Sequence, residues 1–279
     1  MVRASCYRGI MRRSRSAALF LFLLLVVSGA GPASAAKQHR RLALPNTGPV
    51  VLVYHGIGPR RRFWVTPQQL SGDIKYLRDR QYHFVTLAQF AAYEENGLPL
   101  PQRSVLLTFD DGVQSVYQYA LPITRKFEVP AVAFIIGRRL GLPGYMTPGQ
   151  VKDLWQSGLW AIEAHTYDMH SYRPGQLGFA ADLVNPLPGQ TAAQLALEIQ
   201  QDVEAEANTF KAIGLPQPTA FAFPFGIYGP EAVAVMHQTY PLLFDSTPEL
   251  AAPHMVVIGR VDATTDPLGV LLSRYVPTR

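Results

Sequence analysis

The sequence predicts an α/β fold built from parallel β/α units. Apolar segments typical of strands alternate with amphipathic segments typical of helices along most of the chain. The strand segments are apolar throughout, as in a sheet that is covered on both faces. A chain of 279 residues has room for such a sheet to close into a β/α barrel, and an open doubly wound sheet is the alternative.

The first β/α units follow from short local signals. The apolar, β-branched run from Val50 to His55 is typical of a buried strand. Thr66 and Pro67 supply an N-cap and a first-turn proline for a helix that reaches about Arg80. A short strand from His83 to Thr86 precedes a helix from Leu87 to Glu95, which ends near Asn96-Gly97. Ser104 to Phe109 is the next apolar strand.

The central segment repeats this alternation. We expect a helix from about Gln114 to Lys126 and a strand from Pro130 to Ile136. Thr147 and Pro148 begin a helix that runs through Trp155, and Leu159 to Ala164 is a strand. Residues 171–190 are rich in glycine and proline, which predicts an inserted surface loop.

The C-terminal segment contains the longest predicted helix, from Thr191 to Ala212. Its apolar positions recur with helical spacing at Leu195, Ile199, Val203 and Phe210. A strand from Thr219 to Phe223 and a helix near Pro230 to His237 follow. Late strands are expected near Leu242 and from Val256 to Val261.

The distribution of charge and cysteine excludes several classes of protein. The formal net charge is +5, but residues 1–35 contain five arginines and no acidic residue, which leaves 20 basic and 20 acidic residues elsewhere. A nucleic-acid-binding domain is therefore not expected. The single cysteine is Cys6, so a disulfide framework, a cysteine zinc site and a cysteine nucleophile are excluded from the folded domain.

The N-terminus has the layout of a secretory signal peptide. An arginine-rich start, an apolar run from Ala17 to Val27 and the small residues Ala33-Ser34-Ala35 occur in the expected order. The apolar run is shorter than the roughly 20 residues of a membrane span. We therefore predict a signal peptide over residues 1–35, an N-terminal segment over 36–49 and one domain over 50–279. The protein is expected to be secreted or in the cell envelope, and an uncleaved membrane anchor is the alternative.

Two strand ends carry residues suited to metal chemistry. Asp110 and Asp111 follow the apolar strand ending at Phe109, and capping of the next helix explains one carboxylate but not both. His165 and His170 follow the strand ending at Ala164. Five residues on a helix turn through about 140°, so these histidines converge only in a loop. One carboxylate and two imidazoles leave a coordination position open, as in catalytic zinc sites.

A third strand end is less specific. The strand ending at Phe223 runs into Pro224-Phe225-Gly226-Ile227-Tyr228. By itself this proline- and glycine-containing run is typical of an ordinary turn. Beside the other two strand ends it would wall a pocket and present backbone N–H groups to an oxyanion.

The three runs Thr-Phe-Asp-Asp-Gly, His-Thr-Tyr-Asp-Met-His and Phe-Pro-Phe-Gly-Ile-Tyr, in this order, resemble the polysaccharide deacetylases of carbohydrate esterase family 4. The resemblance covers roughly Val50 to Val261. The spacing of the two histidines and the early Val-Tyr-His-Gly are similar to the branch that deacetylates poly-β-1,6-N-acetylglucosamine. The family fold is a distorted (β/α)7 barrel, and residues 50–279 would be its catalytic domain.

The resemblance also implies roles for individual residues. Asp110 would be the general base and His55 the general acid. A divalent metal, zinc above all and otherwise cobalt or nickel, would be held by Asp111, His165 and His170. Phe225 would supply an oxyanion N–H. The rings of Tyr54, Phe225 and Tyr228 would stack on a sugar ring, with core packing as the alternative for all three.

The implied activity is that of a polysaccharide N-deacetylase, a hydrolase acting on linear amide C–N bonds. Its partner would be an N-acetylglucosamine polymer; a monomer associated with the cell surface is expected, with no nucleic acid. Peptidoglycan or chitin-type substrates and an inactive carbohydrate-binding homologue are alternatives. A serine α/β-hydrolase is disfavoured because the G-x-S-x-G elbow is absent. Departures from the family pattern include Ala164 before the first histidine and no arginine just upstream of the third run.

Overall fold

The computed structural model describes residues 48–59 and 61–275. The predicted signal peptide over residues 1–35 lies outside this range. The strands are β1 (Val50–Tyr54), β2 (Gly56–Ile57), β3 (Trp64–Val65), β4 (His83–Phe84), β5 (Ser104–Phe109), β6 (Ala131–Ile135), β7 (Trp160–Ala164), β8 (Tyr172–Gly175), β9 (Gly178–Ala181), β10 (Ala220–Ala222), β11 (Leu242–Phe244) and β12 (Val261–Asp262). The helices are α1 (Pro67–Asp79), α2 (Leu87–Asn96), α3 (Leu121–Phe127), α4 (Pro148–Gln156), α5 (Ala192–Ile213), α6 (Pro230–Thr239) and α7 (Leu268–Tyr275).

One curled parallel sheet forms the centre of the domain. Its strands follow the spatial order β11-β10-β7-β6-β5-β1-β12, and β4 pairs beside the beginning of β5. A single parallel bridge joins Phe244 of β11 to Ile258, which lies shortly before β12. The two ends of the sheet are thereby brought together over a short distance only. This arrangement is a distorted, incompletely closed β/α barrel and confirms the predicted fold class.

The central strands are apolar because both of their faces are covered. Every residue of β1, β5 and β6 is buried. Along β1, Val50 and Leu52 pack into the layer beneath the outer helices, whereas Val51 packs into the interior of the curled sheet. Successive side chains of a strand point to opposite faces, so an unbroken apolar run is what such a strand requires.

The predicted caps at Thr66 and Thr147 are present, and Thr86 and Thr191 cap their helices in the same way. Thr66, Thr86, Thr147 and Thr191 each accept a hydrogen bond from the backbone three residues later. The last three also form capping boxes with the glutamine at that position. Among the described residues, no helix is long and apolar enough to span a membrane.

Two predicted segments differ in detail from the structure. The predicted helix from Gln114 to Lys126 begins with a π-helical turn at Val116–Ala120 before α3 starts. Pro122 lies in the first turn of α3 and has no N–H for an α-helical bond to the preceding turn, which accounts for the irregularity. Residues 171–190 were predicted as a surface loop, but residues 172–181 of this range form the antiparallel hairpin β8–β9.

The C-terminal region also differs. The predicted strand from Val256 to Val261 is reduced to the bridge at Ile258 and the two residues of β12. Gly259 lies against the backbone oxygen of Thr247, and Arg260 turns into the interior, so this stretch does not continue a regular ladder. Helix α7 was not among the elements predicted from the sequence.

Candidate metal and active site

The site lies where neighbouring parallel strands end. β5 leads to Asp110 and Asp111, β7 leads to His165, and β10 leads to Phe223. In the sheet β10 is beside β7, and β6 alone separates β7 from β5. Because these strands are parallel, their carboxyl ends meet on one edge, where β/α enzymes place their chemistry.

Asp111, His165 and His170 form a compact group of metal-ligand atoms that all lie within 4.8 Å of one another. Asp111 Oδ1 is 3.2 Å from His170 Nε2 and 3.7 Å from His165 Nε2. Asp111 adopts a left-handed backbone with φ of 73°, a conformation that is uncommon outside glycine. That turn brings its carboxylate back toward the two imidazoles.

The protonation states of this group suit a divalent cation. The Nδ1 of His165 is 2.7 Å from the backbone oxygen of Ala222, so Nε2 faces the group. Burial lowers the pKa of His165 to about 4, although the carboxylates of Asp110 and Asp111 oppose this shift. The pKa of Asp111 is also below its usual value, because hydrogen bonding and charge from the histidines outweigh burial. A neutral imidazole and an ionised carboxylate are the forms that bind metal.

Asp110 has a different environment from its neighbour. It is buried, and its two carboxylate oxygens accept hydrogen bonds of 2.8 and 2.7 Å from the guanidinium of Arg260. Arg260 is itself fully buried and also donates to the backbone oxygen of Asp245. Burial raises the pKa of Asp110, but the charge of Arg260 outweighs it and the net shift is downward. Asp110 is therefore held ionised and fixed in orientation.

His55 lies at the end of β1 on the same edge. It is partly buried, and its ring is 5.7 Å from that of Phe63. It is near enough to Asp110 and Asp111 for its charge to lower the pKa of both. Its buried Nδ1 has no hydrogen-bond partner among the described residues. A histidine serving only the core is normally hydrogen-bonded, so this observation favours a chemical role.

The loop between the two histidines is held by Asp202 of α5. Its carboxylate accepts hydrogen bonds of 2.8, 2.7 and 3.1 Å from three consecutive backbone N–H groups, those of Tyr167, Asp168 and Met169. These bonds satisfy a loop that has no ladder partner. They also set the chain path that brings His170 back to His165.

The third run divides into two environments. Phe225 has φ of 60°, which is a genuine outlier for a bulky residue, and its exposed ring lies 4.6 Å from that of His170. Tyr228 stacks on Phe223 and donates a hydrogen bond to Asp245. The structure thus places Phe225 against a ligand histidine and Tyr228 against the residue that accepts from Arg260.

Tyr54 is a core residue. It is fully buried, stacks on Phe109 and donates a hydrogen bond to Asp73. The alternative that its ring packs in the core is therefore confirmed.

Arg260 and Asp202 were missed by the sequence analysis. Arg260 stands alone in the apolar run from Val256 to Val261, and Asp202 falls on the apolar stripe of α5. A charged residue on a face predicted to be buried needs a partner, and that signal was present in both cases. Arg260 lies 150 positions after Asp110 in the sequence, so no local pattern links the two residues.

The fold is a curled β/α barrel that places a carboxylate and two histidines, a group able to hold a metal ion, at one edge of its sheet. The chain matches the family described as polysaccharide deacetylase over residues 97–240, which is more than half of its length. The protein belongs to the polysaccharide deacetylase family. The predicted family and the prediction of an enzyme are both confirmed.

Curated relatives have more specific names. A poly-beta-1,6-N-acetyl-D-glucosamine N-deacetylase of Staphylococcus epidermidis is 24% identical over 240 residues, covering 77% of this chain and 79% of the relative. One of Staphylococcus aureus with the same name is 34% identical over 116 residues, covering 40% of each chain.

Solved structures share the fold. IcaB from Ammonifex degensii superposes with a TM-score of 0.73 at 27% identity, covering 82% of this chain and 97% of that one. A de-N-acetylase from Aggregatibacter actinomycetemcomitans gives a TM-score of 0.74 at 22% identity, with 82% and 99% covered. The barrel observed here is thus shared with these two solved structures.

Proposed function

We propose that this protein is a metal-dependent hydrolase that removes N-acetyl groups from N-acetylglucosamine residues of an extracellular polysaccharide, poly-β-1,6-N-acetylglucosamine. The observation that carries the proposal is the three-ligand group of Asp111, His165 and His170, flanked by ionised Asp110 and by His55 with an unpartnered nitrogen. The names of the two staphylococcal relatives support the choice of polymer.

The donor set fits a divalent metal with an open coordination position, and zinc is our first choice, with cobalt or nickel as substitutes. When bound there, such an ion supplies a lowered pKa for its water and polarises the acetamide carbonyl. Asp110, fixed by Arg260, accepts the proton of the attacking water. The backbone N–H of Phe225 faces the developing oxyanion, and its ring borders the sugar.

His55 donates a proton to the leaving amine. An amine leaves poorly as an anion, so amide cleavage needs an acid opposite the base. The products are acetate and a glucosamine residue, and the atoms of one water molecule are divided between them.

The setting of this activity is also proposed. Residues 1–35 would direct the chain to secretion or to the cell envelope, and residues 50–279 would form the catalytic domain. We propose a monomer that acts on polymer at the cell surface.

The direct test measures acetate release by purified protein on β-1,6- and β-1,4-linked N-acetylglucosamine oligomers. Activity on the β-1,6 series, abolished by a chelator and restored by zinc, cobalt or nickel, is expected. The matched variant Asp111→Asn should not be restored at the same metal concentration. Full activity after exhaustive metal removal would contradict the mechanism, and a preference for β-1,4 oligomers would contradict the polymer.

A further inference from the structure

A row of exposed aromatic rings leads away from the metal-ligand group. The ring of Phe225 is 4.6 Å from His170, Tyr172 is 4.8 Å from Phe225, and Phe179 is 6.0 Å from Tyr172, measured between ring centroids. Their exposed fractions are 44% for Phe225, 42% for Tyr172 and 75% for Phe179. We refer to Phe225, Tyr172 and Phe179 as the aromatic row. A continuous exposed apolar surface of this kind is typical of a binding site.

The hairpin β8–β9 places two of these rings on one face. Tyr172 pairs with Ala181, and Pro174 pairs with Phe179, so Tyr172 and Phe179 project from the same side. Arg173 projects from the opposite side, where its guanidinium bonds to both carboxylate oxygens of Glu198 in α5. One face of the hairpin is therefore anchored to the domain, and the other presents the rings.

A buried side chain bonds to both strands and to the turn of the hairpin. Asn185 is fully buried, donates to the backbone oxygens of Arg173 and Gly178, and accepts from the N–H of Leu177. Asp182 accepts a hydrogen bond from the N–H of Ser171, directly after the ligand His170. Rings fixed in this way lose little conformational entropy when they bind a ligand.

We propose that the aromatic row is a track on which successive sugar rings of the β-1,6-linked polymer stack beside the residue being deacetylated. This inference rests on the proposed function and extends it from one sugar to several. Pyranose rings have apolar C–H faces that pack on aromatic rings, as bases stack along single-strand channels. The distances between neighbouring ring centroids, 4.8 and 6.0 Å, are comparable to the length that one sugar adds to a chain. The row also starts in contact with a metal-ligand histidine, where such a chain must pass.

A membrane surface is the competing occupant of this hairpin. Leu177 lies in its turn and is 65% exposed, so a lipid contact would use Leu177 together with Phe179. A stacked sugar would use the rings of Phe179 and Tyr172 and would not need Leu177. The three rings contact one another in a continuous row that ends at His170, which favours the sugar chain.

The test compares variants at the far end of the row on β-1,6 N-acetylglucosamine dimer and pentamer, with metal-loaded protein. Phe179→Ala and Phe179→Leu are each expected to lower the preference for pentamer over dimer in kcat/KM by roughly 2- to 12-fold. Phe179→Tyr keeps the ring and is expected to retain the preference. Leu177→Ala, on the same hairpin, is the control and should resemble the unmodified protein. Calorimetric binding of the β-1,6 glucosamine pentamer should weaken by a similar factor in Phe179→Ala.

The outcomes separate this inference from the proposed function. If the unmodified protein releases no acetate from any β-1,6 oligomer, the proposed function fails. If it releases acetate but Phe179→Ala keeps both the pentamer preference and the pentamer affinity, the proposed role of the aromatic row fails and the proposed function stands. A membrane contact would replace the aromatic row if the protein co-sediments with phosphatidylglycerol vesicles and both Leu177→Ala and Phe179→Ala abolish this binding. In that case the pentamer preference would be unchanged in both variants.

Discussion

Asp110 and Asp111 are adjacent in sequence but have different surroundings, and a pair of matched substitutions distinguishes them. Asp111 faces two histidines, whereas both oxygens of Asp110 face Arg260. Asp110→Asn should keep its bound metal and lower turnover by about 10²- to 10⁴-fold, the usual effect of losing a general base. Asp111→Asn should lose metal as well. Metal content by atomic absorption beside acetate release checks both, and equal loss of metal in the two variants would show that the roles are misassigned.

His55 has the most specific chemical test. His55→Ala should retain its metal and fold but lose most of its activity on an acetamide, because the amine then leaves without a proton. The loss should be far smaller on an aryl acetate, whose phenolate leaves unprotonated. This difference is measured by assaying the variant and the unmodified protein on both substrates. Metal content and circular dichroism serve as controls. Equal losses on both substrates would indicate a structural or binding role.

Helix α5 reaches into the site through Asp202. Removing an outer-shell partner typically costs about 10- to 100-fold in metal affinity. We expect Asp202→Asn to weaken zinc binding within that range, because an amide cannot accept all three loop N–H groups. Zinc titration with a competing chelator provides the measurement.

Glu204→Gln is the matched control for Asp202→Asn, because Glu204 is exposed on the same helix and the change in charge is identical. It should bind zinc as the unmodified protein does. If Asp202→Asn lowers the melting temperature while its zinc affinity stays unchanged, Asp202 supports the fold and does not position the ligand loop.

Features set by neighbouring residues could be predicted from the sequence, whereas contacts between distant positions could not. The apolar strands, the threonine caps and the three strand ends are local patterns, and parallel strands place their ends together by topology. The pairing of Asp110 with Arg260 spans 150 positions and leaves no local pattern except a lone charge in an apolar run. The hairpin β8–β9 was read as a loop because its order comes from Asn185 and Arg173 and not from strand propensity.

The pH dependence of stability is set by acidic groups buried in the barrel. Glu163 of β7 accepts hydrogen bonds from the N–H groups of Thr219 and Ala220, and burial raises its pKa to about 8. Burial raises the pKa of Glu94 to about 7 in the same way. In the unfolded chain these groups ionise near pH 4.5, so the folded state holds more protons between that pH and the raised values. Stability must therefore fall as the pH rises through this window.

The depressed pKa of His165 has the opposite sign, but it acts only between its folded value of about 4 and its ordinary value of 6.5. Above about pH 6.5 the fall due to the acidic groups is unopposed by His165. Between about pH 6.5 and about pH 8, the raised pKa of Glu163 alone is expected to lower the free energy of unfolding by about 2 kcal/mol. Glu163→Gln resembles the protonated carboxyl and keeps an oxygen for both N–H groups, so its urea midpoint should decline less over this range. The urea midpoint of Glu204→Gln should decline with pH as that of the unmodified protein does. If the midpoint of Glu163→Gln declines just as steeply, Glu163 ionises normally in the folded protein.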